Sequence, residues 1–261
     1  ADTPVVLKAQ NASTSYFQMK YRYYFEDAEP TPIKIEGYQT DGLFDIGMNY
    51  LEQGRDGERP FCMVISVEPP HDPFEAPAAL QRAWEQRAIA LPDNFAAASD
   101  EQRDRFILDR KRYYAMVENL DHNVGRMSEF LQRRGLADDT VVVFLSDHGE
   151  LGGSHGLRGK QWPYEESTGI PVVVCDPRTP ERAGALIADP ICTEDFFPTL
   201  LGLAGLQPSS TLPGADLTPL LHGQIERLER AGVLLEFVAE LRGGAIFHEW
   251  IWRRFQTARF K

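Results

Sequence analysis

The sequence lacks the features that mark disulfide-rich, nucleic-acid-binding and membrane-spanning proteins. It contains three cysteines, Cys62, Cys175 and Cys192, and no Cys-x-x-Cys pair, which argues against a disulfide framework and against a zinc site. Its net charge is −12 and Lys and Arg form no long block, so we expect no nucleic-acid partner. No apolar run approaches the ~20 residues that a membrane-spanning helix needs, so we expect no membrane span.

The composition is that of a folded globular chain. Of its 261 residues, 43% are hydrophobic and 25% are charged, which is enough to bury one sizeable core or a core and a small appendage. Cys62 and Cys175 lie in apolar runs and are expected to be buried. The chain opens with ADTPVVLKAQ, which has no leader pattern and is more typical of the interior of a protein. The compartment is therefore left open.

The most informative stretch runs from Thr140 to Ser167. Its β-branched run Val141–Leu145 is typical of a buried strand of a parallel sheet, and it stops at Ser146-Asp147-His148-Gly149. Open α/β sheets bind ligands beyond the carboxyl ends of their strands, and a glycine-rich loop leads from there to Lys160. Taken alone, an Asp-His-Gly tripeptide more often caps a turn than builds a site.

A second polar group follows an apolar run in the same way. Residues 61–67, FCMVISV, predict a strand, which is broken by Glu68-Pro-Pro-His71-Asp-Pro-Phe. The prolines fix the backbone around His71 and so give its side chain a defined direction. Proline-rich loops are common, and on its own this pattern favours a functional and a structural role equally.

The remaining elements are read from periodicity and from end signals. Apolar residues at helical spacing predict a helix from Thr40 to Gly54, and a longer one that begins at a capping box, Ser99 to Gln102, and ends at Gly135. Strand, helix and strand in this order predict a right-handed crossover within a parallel sheet. Downstream we expect a helix at 194–203 and, beyond Ile225, antiparallel strands. His222 and His248 are interpreted as structural.

Three of these segments occur in the order and at about the spacing of a known family. FCMVISVEPPHDPF, YYAMVENLDHNVGRM and SDHGELGGSHGLRGK followed by YEES resemble the catalytic core of the type I sulfatases, members of the alkaline-phosphatase superfamily. The resemblance implies an α/β fold, an alkaline-phosphatase-like three-layer sandwich with a mostly parallel central sheet. Residues 1–224 would belong to the catalytic domain, and residues 225–261 would begin a small C-terminal antiparallel subdomain.

The resemblance also implies roles for individual residues. Asp147 and His148 would be ligands of a divalent metal ion, and Lys160 would contact the sulfate. His71 would lie beside the sulfate and protonate the leaving oxygen. For His155, in the Gly-Ser-His-Gly loop, contact with the substrate and a structural role in the loop are both open.

Cofactor and substrate follow from the same resemblance. Calcium is the first expectation for the metal; manganese and magnesium remain open, since an imidazole ligand suits manganese better than calcium or magnesium. The substrate would be a small-molecule or glycan sulfate ester. The oligomeric state cannot be read from the sequence.

One hallmark of the family is absent from the 261 residues. The sulfatase signature is Cys-x-Pro-x-Arg, or its serine form, in which the first residue becomes the formylglycine nucleophile. Cys175-Asp176-Pro177-Arg178 has its arginine one position early and follows a different strand. We therefore expect the nucleophile, and two further metal-binding aspartates, upstream of Ala1, and we expect this fragment alone to hydrolyse nothing.

Two alternatives stay open. Phosphonate monoester and phosphodiester hydrolases share the scaffold and often the Asp-His pair. A degenerate, non-catalytic relative could instead keep the fold and bind an anion through Lys160 and His71.

Overall fold

The computed structural model describes residues 6–9, 16, 20–24, 31–238, 241–242, 245–246 and 251–257. The chain divides into two compact units, Ala1–Gly135 and Leu136–Lys261. The domain boundary predicted near residue 224 separates the catalytic domain of the family from its C-terminal subdomain. It stays a prediction.

The first unit begins with a three-stranded antiparallel sheet and continues with helices. Strands β1 (Val6–Ala9), β2 (Lys20–Tyr24) and β3 (Thr31–Lys34) pair in the order β1-β2-β3. Helix α1 (Gln39–Asn49) continues into one π-helical turn, Tyr50–Gly54. The predicted helix from Thr40 to Gly54 is thus confirmed. Helices α2 (Ala78–Gln86) and α3 (Asp100–Arg133) follow.

Helix α3 has the predicted ends. The hydroxyl of Ser99 accepts a hydrogen bond from the backbone N–H of Gln102 at 3.2 Å, which satisfies one of the unpaired donors of the first turn. The side chain of Gln102 reaches back to the N–H of Ala98, one residue before its partner in a regular capping box. Gly135, with φ of 65°, follows the last turn.

The core of the first unit lies where α1 and α3 face the segment that carries His71. Its buried cluster consists of Tyr16, Ile35, Tyr38, Leu43, Ala76, Ala115 and Met116. Helix α2 covers one face of α3: Glu118 accepts a hydrogen bond from the indole N–H of Trp84, and Arg112 binds Glu85 at 2.8 Å. Contacts between distant segments therefore decided the environment of Glu118.

Residues 61–67 do not form a strand, which corrects the prediction. No described residue pairs with its backbone in a β-ladder, so the predicted crossover unit is not formed within the described part of the chain. Exposure alternates along the segment: Val64 is 82% exposed and Cys62 is exposed, while Ile65 and Val67 pack against the core. Successive side chains of an extended chain point to opposite sides, and only one side is covered, so the expected burial of Cys62 is wrong.

The second unit contains short elements. In order they are β4 (Val142–Leu145), α4 (Glu165–Thr168), β5 (Val172–Cys175), α5 (Phe196–Leu203), α6 (Thr218–Leu221), β6 (Val233–Phe237), β7 (Leu241–Arg242), β8 (Ala245–Ile246) and β9 (Trp252–Gln256). Strands β6 and β9 are antiparallel, as are β7 and β8. The antiparallel strands predicted beyond Ile225 are confirmed.

Strand β4 exists where predicted, but its partner and its burial differ from the prediction. It pairs antiparallel with β5, Val142 opposite Cys175 and Leu145 opposite Val172. For β5 to pair parallel with β4, the chain would have to cross to the opposite end of the sheet before β5 begins. Instead, β5 begins at the end of the sheet where β4 stops. Val142–Phe144 are half-buried and Leu145 is exposed, and Cys175 is exposed, contrary to expectation.

Two further expectations concern histidines and membranes. The Nε2 atom of His222 lies 2.8 Å from a carboxylate oxygen of Asp176, as a structural role predicts, whereas His248 lies outside the described residues. No helix among those the structure describes is long and apolar enough to cross a bilayer.

Candidate active site

The turn after β4 presents Asp147 to solvent. Its side chain is 86% exposed, and its Oδ1 atom accepts a hydrogen bond from the backbone N–H of His148 at 3.0 Å. Ser146 closes the turn by donating its hydroxyl to the carbonyl of His148 at 3.1 Å. The carboxylate is therefore oriented by the backbone while remaining accessible.

The ring of His148 is held in one tautomer. Its Nδ1 atom lies 2.7 Å from the carbonyl oxygen of Gly149, and because a carbonyl can only accept, Nδ1 carries the proton. The lone pair of the neutral ring is then on Nε2, which is the form that binds a metal ion. A backbone carbonyl on the other ring nitrogen is the usual support of a metal-binding histidine.

Gly149 ties this turn to α4 and can be replaced by no other residue without a shift of the backbone. Its N–H donates to the carbonyl of Ser167 at 2.9 Å. A Cβ atom at this position would lie 2.1 Å from the backbone oxygen of Glu166, well inside van der Waals contact. The motif needs glycine here because two backbone segments touch.

Glu150 joins the two ends of the loop from Gly149 to Lys160. One carboxylate oxygen of Glu150 accepts hydrogen bonds from the N–H groups of Gly152 at 3.1 Å and Gly159 at 2.7 Å. Leu151 is fully buried, and its N–H donates to the carbonyl of Gly159 at 2.9 Å. The backbone that carries Lys160 is thus fixed on its N-terminal side.

Strand β9 fixes the other side of Lys160. The indole N–H of Trp252 donates to the carbonyl of Gln161 at 2.7 Å, and the guanidinium of Arg254 donates to the carbonyl of Pro163 at 3.0 Å. Gln161 has φ of 80°, a conformation that strains a residue with a side chain. These contacts hold that conformation in place.

Asp147, His148 and Lys160 line one cavity of about 1400 Å³ in the second unit. A carboxylate oxygen and an imidazole nitrogen suit a divalent cation, so the two donors fit the expected metal. No group of three or more potential ligands occurs among the described residues. A metal ion bound by this pair would need further ligands from elsewhere in the protein.

His155 has contacts of another kind. Its ring stacks on that of Tyr164, with centroids 3.9 Å apart and planes 15° apart, and its Nε2 atom lies 3.6 Å from a carboxylate oxygen of Glu166. It is not one of the residues that line the cavity. These contacts match the structural alternative, and contact with a substrate stays a prediction.

His71 belongs to the first unit and lies in the loop Glu68–Glu75. Its side chain is 51% exposed. Its Nδ1 atom lies 2.7 Å from the backbone oxygen of Asp72 and 3.1 Å from the Oδ1 atom of that residue. With the Nδ1 proton directed at these acceptors, Nε2 is the nitrogen left for proton exchange with a ligand.

Sequence reasoning missed the residues that support these groups. Glu150 gave no signal, because its role depends on two glycine N–H groups that only the folded loop brings together. Tyr16 gave none either, although its hydroxyl donates to the carbonyl of His71 at 2.7 Å, because it lies 55 positions away in the chain.

Comparison with known proteins agrees with the motifs. The family model described as Sulfatase matches residues 5–206. The chain is 30% identical to an ulvan-active sulfatase of Formosa agariphila, over 91% of this chain and 46% of that protein. It is 35% identical to an N-acetylglucosamine-6-O-sulfatase of Bacteroides thetaiotaomicron, over 84% of this chain and 51% of that protein. The chain thus spans about half the length of these curated relatives.

A solved structure supports the fold. The phosphonate monoester hydrolase of Agrobacterium radiobacter aligns with a TM-score of 0.67 and 28% identity, covering 79% of this chain and 46% of that one. The expected alkaline-phosphatase-like fold is confirmed at the level of the family, although within this chain β4 has only the antiparallel partner described above. From the family match, the identities and the motifs together, the chain belongs to the sulfatase family.

Proposed function

We propose that the full-length protein hydrolyses a sulfate ester with the help of a divalent metal ion. The observation that carries the proposal is the cavity of the second unit, in which Asp147, His148 and Lys160 all take part. Membership of the sulfatase family supports the assignment of sulfate as the bound group.

Lys160 is proposed to bind the sulfate. The protein carries a net charge of −12, so an anionic ester needs local positive charge to approach and to be held. The fixed backbone on both sides of Lys160 favours a defined position for its ammonium group. A cation held before the reaction begins stabilises charge that develops on the ester oxygens.

Asp147 and His148 are proposed to be the metal ligands in this chain. When bound, the ion would supply positive charge to the sulfate and orient the nucleophile. Calcium is our first choice, followed by manganese and magnesium; the imidazole donor is the specific feature that keeps manganese open.

His71 is proposed to be the general acid. A proton delivered to the ester oxygen as its bond to sulfur breaks is worth on the order of 10²–10⁴-fold in rate. The exposed ring, with Nδ1 bonded to the carbonyl of Asp72, supports donation from Nε2 of the imidazolium. The nucleophile, formylglycine in this family, is proposed to lie outside the 261 residues, which contain no Cys/Ser-x-Pro-x-Arg sequence.

The proposed substrates are sulfated glycans. Two relatives bear names that point to such substrates, an ulvan-active sulfatase and an N-acetylglucosamine-6-O-sulfatase.

The test is turnover by the full-length protein of matched aryl sulfate, aryl phosphonate and phosphodiester substrates. We expect kcat/KM to be highest for the sulfate. A large preference for the phosphorus esters would replace the proposal with the phosphonate hydrolase alternative, which the similarity to a phosphonate monoester hydrolase favours. Absence of both a formylglycine peptide in mass spectrometry and any turnover would favour the non-catalytic relative.

A further inference from the structure

The loop that carries His71 is anchored at both ends and at its centre by three buried side chains from elsewhere in the first unit. The single hydroxyl proton of Tyr16 is shared between the carbonyls of His71, at 2.7 Å, and Asp72, at 3.0 Å. Tyr38 donates to the carbonyl of Glu75 at 2.8 Å. Gln39 accepts from the N–H of Glu68 at 3.2 Å with its side-chain oxygen. These three residues, Tyr16, Tyr38 and Gln39, are called the anchor below.

The anchor is itself fixed. Its members are buried, with Tyr16 1% exposed. The carbonyl of Tyr16 accepts a hydrogen bond from the N–H of Gln39 at 2.8 Å, and the two tyrosine rings meet edge to face with centroids 6.3 Å apart. Burial, with smaller contributions from Tyr16 and nearby carboxylates, raises the pKa of Tyr38, so its phenol stays a donor at neutral pH.

One backbone group connects the anchor to the imidazole. The carbonyl oxygen of Asp72 accepts from the hydroxyl of Tyr16 and lies 2.7 Å from the Nδ1 atom of His71. Since the side chain of His71 is half exposed, packing holds its ring only in part. The Asp72 carbonyl that Tyr16 holds, together with the Oδ1 atom of Asp72 at 3.1 Å from Nδ1, therefore determines where the ring lies and which nitrogen carries the fixed proton.

We propose that Tyr16 is a positioning residue for His71: through the carbonyl of Asp72 it keeps Nδ1 engaged and presents Nε2 for proton transfer. This inference rests on the proposed role of His71 as general acid. The hydrogen bond from Nε2–H of His71 to the leaving oxygen depends on this positioning. As the sulfur–oxygen bond breaks, its electron pair stays on the leaving oxygen, and the Nε2 proton moves to that oxygen. The imidazole is left neutral.

The test uses Tyr16→Phe in the full-length enzyme and a series of aryl sulfates whose phenols differ in pKa. A good leaving group such as 4-nitrophenolate needs little protonation, and a poor one such as 4-methoxyphenolate needs more. We expect kcat for the poor leaving group to fall by roughly 10-fold or more, part of the 10²–10⁴-fold that acid catalysis supplies. For 4-nitrophenyl sulfate we expect kcat to change by less than about 3-fold, with KM unchanged for both.

Tyr38→Phe is the matched control. It removes an equally buried hydroxyl from the same anchor, but its partner is the carbonyl of Glu75, not a carbonyl beside the imidazole. A general loss of stability should be common to both variants, and thermal melting measures it. Only Tyr16→Phe should steepen the dependence of rate on the pKa of the leaving group.

The outcomes separate this inference from the proposed function. His71→Ala must steepen the same dependence; if it does not, or if the wild-type enzyme hydrolyses no sulfate ester, the proposed function fails and the inference is overturned with it. If His71→Ala behaves as expected and Tyr16→Phe is indistinguishable from Tyr38→Phe, the inference alone is overturned.

Discussion

The carboxylate of Glu150 accepts a hydrogen bond of 2.7 Å from the backbone N–H of Gly159, and this bond joins the two ends of the loop that leads to Lys160. The same carboxylate oxygen accepts from the N–H of Gly152. Removal of this acceptor breaks both hydrogen bonds and loosens the segment next to Lys160. Lys160 would then be displaced, and small displacements of a binding group have large effects on rate.

The first prediction follows from that contact. We expect Glu150→Ala to lower kcat/KM for an aryl sulfate by roughly 10- to 100-fold, while Glu150→Gln, which keeps an acceptor oxygen, stays within about 3-fold of the wild type. If Glu150 acts through Lys160, the effect should vanish in a Lys160→Ala background. Equal effects in both backgrounds would show that Glu150 acts elsewhere.

Lys160 itself gives the second prediction. Lys160→Ala should weaken transition-state binding by about 2 kcal/mol or more, because a charge-assisted contact to the sulfate is lost. That corresponds to a fall in kcat/KM of about 30-fold, measured by steady-state kinetics of the full-length enzyme. Lys160→Arg keeps the charge and should retain more activity than the alanine variant. An unchanged rate in Lys160→Ala would remove the residue from the site.

The third prediction concerns the metal. Asp147→Asn and His148→Ala should each lower divalent-metal affinity by at least about 10-fold, since even loss of an outer support of a ligand has effects of that size. The measurement is metal content by mass spectrometry after dialysis against graded chelator. The control is Asp138→Asn, which alters an exposed carboxylate outside the cavity lining. Metal content that is the same in all three variants would contradict the assignment.

A buried ion pair gives the fourth prediction. Asp195 is fully buried and accepts two hydrogen bonds from Arg230, at 2.8 and 2.7 Å. Its oxygens also accept from the N–H groups of Cys192 and Ala215 at 2.8 Å each. Burial by itself would raise the pKa of Asp195, but these hydrogen bonds outweigh it and lower the pKa.

Arg230→Leu should therefore destabilise the protein by about 3–5 kcal/mol, because it leaves a buried carboxylate without its cation. Urea unfolding measures this change. Arg227→Leu, at an exposed position nearby in the chain, should change stability by less than about 0.5 kcal/mol. Equal effects of the two substitutions would contradict the importance of the pair.

The fifth prediction concerns acid. Hydrogen bonds from Arg178 chiefly, opposed by burial and assisted by His222, hold the pKa of Asp176 well below its ordinary range. A carboxyl whose pKa is lower in the folded than in the unfolded state adds stability above the unfolded value of about 4, and this stability is lost as pH falls toward the folded value.

Asp176→Asn should accordingly be less stable than the wild type at pH 7, and the difference should shrink as the pH falls below about 4. Unfolding midpoints at a series of pH values measure it. A difference that is constant between pH 7 and pH 3 would mean that packing, and not charge, accounts for the effect of Asp176.

Short sequence motifs are enough to identify the family and the main candidate residues. They also predict the helices Gln39–Asn49 and Asp100–Arg133 and the strand Val142–Leu145. These features depend on local periodicity, on end signals such as Ser99, and on short motifs. A few neighbouring residues carry that information.

The pairing of strands and the contacts between distant side chains become visible only in the folded structure. The antiparallel pairing of Val142 with Cys175, the exposure of Cys62, and the hydrogen bond between Trp84 and Glu118 depend on which distant segment packs against each residue. Periodicity gives the direction of a side chain but not the identity of its neighbour. The supports of the candidate site, Tyr16 and Glu150, belong to the same class, because their partners are backbone groups that carry no sequence signal.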